Sequence, residues 1–348
     1  MVFKMRKKGV TTSQLVIVIV VIAVILVGVT YWFFFRPPEE TESLKIGVVM
    51  WGHHDAGLWD PAAANAVLNL KDKYNLEITW VEEIDFTQLE SIVRNLAKTN
   101  DVIYLTTDEF EEVCKAVAPA FPDVYWVQQY ESTEILPDHF PSNVVAFNAY
   151  QANQLSFWAG AIAAKITQTN KLGIVQAIPG PRDTRLMSGA FRAGAHYVNE
   201  EIEVLRVVIG AYSDPIATRK AVSDFADVGC DVVFIGMDDE SGTLEAKERG
   251  IYSIQEYTDI TSDFPDTMIG CTAWVWDVWL DKALDAIVND QFEVFREEHY
   301  EMPLTLEDRS LDIPTFGNMV SDEVKDFAYE LRSDIIEGEV SVPLIDEW

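Results

Sequence analysis

The sequence predicts an α/β protein: two doubly wound, Rossmann-like lobes behind an N-terminal transmembrane helix. Three observations carry this. Short apolar runs such as LKIGVV, DVIYL and DVVFIG alternate with amphipathic segments of helical length, the pattern of a parallel sheet with helical crossovers. The pattern occurs twice, on either side of an apolar stretch rich in small residues at Asn153 to Thr167. An uncharged run from Leu15 to Phe35 precedes both halves. At 348 residues and 49% hydrophobic, the chain is long enough for two cores of ordinary size.

The Leu15 to Phe35 run is long enough to cross a hydrocarbon core of about 30 Å as a helix. Lys4, Arg6, Lys7 and Lys8 precede it, so the positive-inside rule places the N-terminus in the cytoplasm and the rest outside the cell. Residues 1–36 are therefore expected to be a cytoplasmic stub and signal anchor. No small-x-small cleavage pattern follows. The basic residues, Gly9 and the polar VTTSQ ahead of the apolar run resemble the prepilin-like signals of archaeal surface proteins, whose cleavage would leave the helix in place. Residues 37–43 form a short linker reaching only about 3 Å per residue, which keeps the folded part beside its membrane and favours a partner there.

The first lobe is expected to comprise residues 44–150 with 272–305, and the second 151–271 with 306–348. LKIGVV opens the first lobe, and its carboxyl end runs into WGHHDAGLWD before a helix that starts near Pro61, a favoured first-turn residue. LEITWV, DVIYL, VYWVQQ and NVVAF read as further strands, with helices between them. KLGIVQA, EVLRVVIG, DVVFIG and YSIQE repeat the scheme, separated by helices over Thr184 to Asn199, Pro215 to Asp227 and Thr243 to Arg249. MIGCTAW then leads into an amphipathic helix, and a last helix spans Ser321 to Glu337. Its SDEV start reads as a capping box and Gly338 as its stop.

The formal charge of −31 excludes a nucleic-acid partner, because neutralising phosphates requires clustered Lys and Arg that are absent beyond the N-terminus. Cys114, Cys230 and Cys271 are odd in number and widely spaced, so they read as small core residues. His53, His54, His139 and His196 lack zinc spacing, and neither a G-x-S-x-G elbow nor a P-loop is present; neither a catalytic residue, a metal nor a cofactor is expected. Asp238, Asp239 and Glu240 follow a strand, where loop carboxylates serve mostly as solvated groups or hydrogen-bond acceptors. Aromatic residues are the stronger signal. Ligands of open α/β sheets sit beyond the carboxyl ends of the strands, where Trp59 and Trp276 are expected to face the cleft; Trp279 belongs to the core.

The runs AFNAYQANQLSFWAGAIAAKITQTNKLGIV, MSGAFRAGAHYVN and VGCDVVFIGMDDESGTLEAKERGIYSIQEYTD, together with KIGVV and VSDEVKDFAYELRSDIIEGEVSV, resemble the basic membrane protein family of ABC-transporter solute-binding proteins. The resemblance implies a type I periplasmic-binding fold closing on a purine nucleoside or related compound. It also implies that His54, Asp55, Trp59 and Asp60 of the first-strand loop, and Asp238, Asp259 and Trp276 of later strand ends, bind the ligand. Asp55 matches a family aspartate. The family's following K-S-F-N is here Ala56 to Trp59, and TAWVW stands where nucleoside binders carry a ribose-contacting lysine. An aromatic in place of a cation favours a bare purine base, with a nucleoside second and a flat vitamin-like heterocycle third. The expected partner is an ABC permease in the same membrane; the rival readings are a surface nucleoside-processing enzyme and a sensory ectodomain with a separate signalling partner.

Overall fold

The computed structural model describes residues 43–131 and 140–348. The expected membrane helix, the linker up to residue 42 and His139 lie outside the described residues. No helix among the described residues is long and apolar enough to cross a membrane.

The described chain builds two six-stranded sheets with the same plan. The first sheet has the order β2-β1-β3-β4-β5-β11, with β1 Leu44–Val49, β2 Leu76–Val81, β3 Val102–Leu105, β4 Tyr125–Tyr130, β5 Val144–Asn148 and β11 Glu301–Pro303, all parallel. The second has the order β7-β6-β8-β9-β10-β12, with β6 Lys171–Gln176, β7 Glu203–Val208, β8 Val232–Gly236, β9 Tyr252–Tyr257 and β10 Met268–Trp274 parallel and the short β12 Leu311–Asp312 antiparallel to β10. Strands such as β3, β5 and β8 are buried at every position, as expected of sheets covered on both faces by helices. The chain passes between the sheets at residues 149–151, 275–276 and 304–310. This is the type I periplasmic-binding architecture, in which such crossings act as the hinge between lobes.

Helix α1, Trp59–Tyr74, begins two residues ahead of Pro61. Proline is tolerated there because first-turn N–H groups have no intrahelical acceptor to lose. Helices α2 Leu89–Leu96 and α3 Glu111–Val117 cover the first sheet, and α4 Ala152–Ile166 follows the first crossing. The segment expected as one helix from Thr184 opens with a π-helical turn, Thr184–Ser188, and continues as α5 Gly189–Val198. After it come α6 Pro215–Asp227, α7 Ser241–Arg249, α8 Asp277–Val288, α9 Phe292–Glu298 and α10 Asp322–Glu337. Only half of the expected capping box forms at α10. Ser321 Oγ accepts from the Val324 N–H at 3.3 Å, but Glu323 stands at the second helical position, one short of the place from which a glutamate reaches back. Gly338 does end the helix, with φ of 78°.

Helix α4 is buried along nearly its whole length, and it meets α5 almost backbone to backbone. A Cβ on Gly160 would lie 2.0 Å from the Phe191 carbonyl oxygen, and one on Gly194 would lie 1.9 Å from that of Phe157. The two glycines interlock reciprocally, which explains the small-residue stretch seen in the sequence. The free thiols of Cys114, Cys230 and Cys271 are all buried. Gly194→Ala is expected to lower the stability by about 1–3 kcal/mol, the usual range for overpacking, or more, since the obstacle is backbone. Thermal unfolding followed by circular dichroism checks this, and an unchanged midpoint would show that the helices separate freely.

Candidate functional site

In each sheet the first strand of the lobe has neighbours on both sides, so the loops after β1 and β3, and after β6 and β8, diverge and leave a crevice. One cleft collects residues from both lobes. Trp51, Trp59 and Asp60 come from the end of β1 and the start of α1, Asp108 and Glu109 follow β3, and Glu131 follows β4. Arg182, Tyr212, Asp238 and Tyr257 face them from the second lobe. In this closed arrangement the cleft keeps only about 50 Å³ of room, well below the roughly 300–1,000 Å³ of occupied small-molecule sites, so the lobes must part to admit a ligand.

The lobes are latched across this cleft. Asp238 Oδ1 accepts from the Leu58 N–H at 2.6 Å and the Trp59 N–H at 2.7 Å. These donors open α1, whose own N-cap residue Leu58 supplies no side-chain cap, so a carboxylate from the opposite lobe does the capping. Gly57 makes the approach possible. It holds φ of 79°, and a Cβ there would meet Asp238 Oδ1 at 2.8 Å. Thr258 Oγ1 adds a bond to the Leu58 carbonyl at 2.5 Å. On the other flank Arg182 reaches across to Asp108 at 2.8 Å and to Glu131 at 3.6 Å. At the mouth Trp51 meets Tyr212 edge to face, their centroids 6.5 Å apart.

The floor is aromatic. Trp59 is fixed by its indole N–H on the Thr106 carbonyl at 3.0 Å, and it stands edge-on to Tyr257 and Trp274 at centroid distances of 5.1 and 5.3 Å. Tyr257 takes φ of 78°, an uncommon conformation for a non-glycine residue at the end of a strand that faces the cleft. The polar lining is strongly acidic. Asp60 is 3% exposed; its Oδ2 accepts from the Gly52 N–H at 2.7 Å, while its buried Oδ1 has no partner among the described residues. Burial pushes Asp60 up to about 6 and Glu109 up to about 7. Burial, reinforced by neighbouring acids, takes Glu131 up to about 8 in spite of Arg182. Asp238 is raised too, chiefly by burial, with its two backbone donors pulling the other way. Deeper in, Glu256 is pushed well up by burial.

The structure thus brings Trp59, Asp60 and Asp238 together in one cleft. The other residues expected from the sequence lie elsewhere. His54 Nδ1 pairs with Glu82 at 2.6 Å and its ring stacks on Trp80, while Asp55, 71% exposed, bonds the ring of His53; both sit on the rim beyond the cleft lining. Asp259 accepts from the Thr261 N–H at 2.9 Å and borders a separate depression beside α1. Trp276 is 1% exposed, stacked on Phe147 and edge-on to Trp59, so it backs the floor. Trp279 is in the core, as expected. Glu109, Glu131, Arg182, Tyr212 and Tyr257 were missed, although each follows or ends a strand or opens the segment after one. The strand-end argument applied to every strand would have reached them.

A two-lobed α/β protein with a latched cleft lined from both lobes has the architecture of a solute-binding protein. The chain belongs to the family of PnrA-like ABC transporter substrate-binding proteins, whose family model matches residues 43–346. It is 25% identical over 310 residues to basic membrane protein A of Borreliella burgdorferi, covering 87% of this chain and 88% of that one. It is 24% identical over 310 residues to a purine-binding protein of Brucella abortus, covering 86% and 83%. Matches to basic membrane proteins of Borrelia garinii and Borreliella afzelii span only 55% and 57% of those relatives. Among solved structures, an ABC transporter solute-binding protein from Conexibacter woesei superposes with a TM-score of 0.75 at 20% identity, covering 88% of this chain and all of that one.

Two outcomes follow from the latch and the acids. Asp238→Ala removes a charged acceptor from two N–H donors, which shifts the balance toward the open form by about 2 kcal/mol, roughly 30-fold. Small-angle scattering of the ligand-free variant is expected to show a larger radius of gyration, and an unchanged radius would show that other contacts hold the lobes. The raised carboxyls fix the sign of a pH effect. The folded chain keeps protons that the unfolded chain has lost by about pH 5, so these groups make stability fall as pH rises from there to about 8. Glu131→Gln is therefore expected to lose less of its melting temperature between pH 6 and 8 than the parent does. Parallel pH profiles would contradict the assignment.

Proposed function

We propose that this chain captures a flat, N–H-rich heterocycle, a purine nucleobase before a nucleoside, and delivers it to an ABC permease in the membrane to which its own N-terminal segment anchors it. The observation that carries the reading is the pairing of aromatic rings with buried carboxylates in one cleft, above all the unpartnered Oδ1 of Asp60 beside Trp59. An aromatic face stacks on any planar ring, and carboxylate oxygens accept from ring and exocyclic N–H groups. The purine-binding relative from Brucella abortus supports the same ligand class.

The acids also decide what is turned away. Asp60, Asp108, Glu109, Glu131 and Asp238 face a single cation in this lining, Arg182, which the Asp108 and Glu131 carboxylates already engage. A phosphate placed here finds no unengaged cation among the lining residues and brings negative charge beside carboxyls that burial already makes reluctant to ionise, so bases and nucleosides are favoured over nucleotides. Ligand contacts made only between closed lobes shift the hinge equilibrium toward closure, and the closed form is the one that docks on the permease.

Calorimetric titration of the ligand-stripped protein is expected to show adenine or guanine binding at micromolar or tighter affinity, with the nucleoside weaker and the nucleotide undetectable. Trp59→Ala and Asp60→Asn are each expected to weaken binding at least about tenfold, from lost stacking and a lost charged acceptor. Tight nucleoside binding with weak base binding would mean that the ribose is recognised. Sugar binding without purine binding would remove the ligand assignment and leave the family standing.

A further inference from the structure

Beside the cleft, and apart from its lining, the rim carries His53, His54 and Glu82 with potential ligand atoms all within 4.8 Å of one another. His53 Nε2 lies 3.5 Å from Glu82 Oε2, and His54 Nδ1 lies 2.6 Å from Glu82 Oε1. We propose that these three side chains form a binding site for a divalent transition-metal ion of zinc's class, held by His53 Nε2, His54 Nδ1 and the Glu82 carboxylate.

Five features distinguish this cluster from an ordinary surface ion pair. Two imidazoles and one carboxylate are the donor set that zinc takes when a fourth position is left to solvent, and with donor atoms already within 4.8 Å of one another, small side-chain shifts would bring them to the roughly 3.3 Å separations of a tetrahedral site. His53 turns Nδ1 to the Asp55 carboxylate, which leaves Nε2 on the side of Glu82 and holds the ring as carboxylates hold metal-bound histidines. His54 is oriented by stacking on Trp80, centroids 5.0 Å apart and planes 10° from parallel, and on His53 at 4.9 Å. Glu82 is anchored by the His54 backbone N–H at 2.7 Å. All three ligands are partly buried yet open to solvent, so an ion can reach them.

The site joins the loop after β1 to the end of β2. That loop carries Trp51 and Gly52, and Gly52 both donates to Asp60 and accepts from the Glu83 N–H at 3.1 Å. An ion bridging His53, His54 and Glu82 would brace the rim next to the cleft without entering it.

The test is a zinc titration of the metal-stripped full-length protein against a chromogenic chelator, in millimolar Mg²⁺ to occupy the acidic surface. One equivalent is expected to bind, and Co²⁺ in its place is expected to show the intense visible bands of a four-coordinate site. His54→Ala and Glu82→Gln are each expected to weaken zinc at least tenfold, and Asp55→Asn about tenfold through its effect on His53. His196→Ala, whose imidazole bonds the Ile202 carbonyl elsewhere in the second lobe, should leave affinity unchanged. Circular dichroism confirms that the variants fold. Absence of Mg²⁺-resistant binding, or equal affinity in folded His54→Ala and Glu82→Gln, overturns the proposal.

Discussion

The closed arrangement depends on one carboxylate that belongs to one lobe and completes the other. Asp238 lies just past β8 in the second lobe, yet the donors it satisfies are the N–H groups at the start of α1 in the first lobe. A helix terminus leaves such donors without partners, and its dipole favours negative charge there. With Leu58 supplying no cap, the helix gains one only when the lobes meet. In an open form water takes the place of Asp238. Closure therefore exchanges one set of hydrogen bonds for another at small net gain. Such a balance is what a ligand can tip.

The same exchange explains the chemistry left over for the ligand. Asp238 spends Oδ1 on the helix, and Asp60 spends Oδ2 on Gly52, so each keeps an oxygen that is not tied up in this way. Burial raises the proton affinity of both groups, which makes the ligand-free cleft costly to hold fully ionised. A ligand that brings N–H donors relieves this cost; one that brings oxygen acceptors or negative charge adds to it. Selectivity then comes from the penalty paid by the wrong solute as much as from contacts to the right one. Trp59 itself is held in one orientation, because its ring cannot turn without giving up its bond to Thr106 and its edge contacts with Tyr257 and Trp274.

The fold was legible because its signals are periodic and local. Buried parallel strands are short apolar runs, and crossover helices are amphipathic, so the element order was readable as far as α8, whereas the short α9, β11 and β12 carry too few residues to show a period. The small-residue stretch at Asn153 to Thr167 announced a close helix contact, which Gly160 and Gly194 make. Trp59 was legible as an aromatic residue at the turn from β1 into α1, whereas Asp60 and Asp238 were picked out by the family resemblance. Trp276 was misplaced for an instructive reason. It follows a strand that faces the cleft, but as the residue before α8 it turns inward onto Phe147, and its contacts with Trp59 and Trp274 connect it to the floor from behind.

The rim cluster shows where linear reasoning fails. His54 and Glu82 are 28 residues apart, too far for a short ligand motif to link them in the sequence. The register supplies the link: β1 and β2 are parallel and paired from Leu44 opposite Leu76 to Val49 opposite Val81, so they end level with each other. Residues a few positions past each end are then neighbours, whatever the length of the crossover helix between them. In a doubly wound sheet this holds for every adjacent pair of parallel strands, which gather chemistry from distant segments at their carboxyl ends. Aromatic and acidic residues at those ends advertise themselves by type. A ligand set shared between two ends becomes visible only once the strand order is known.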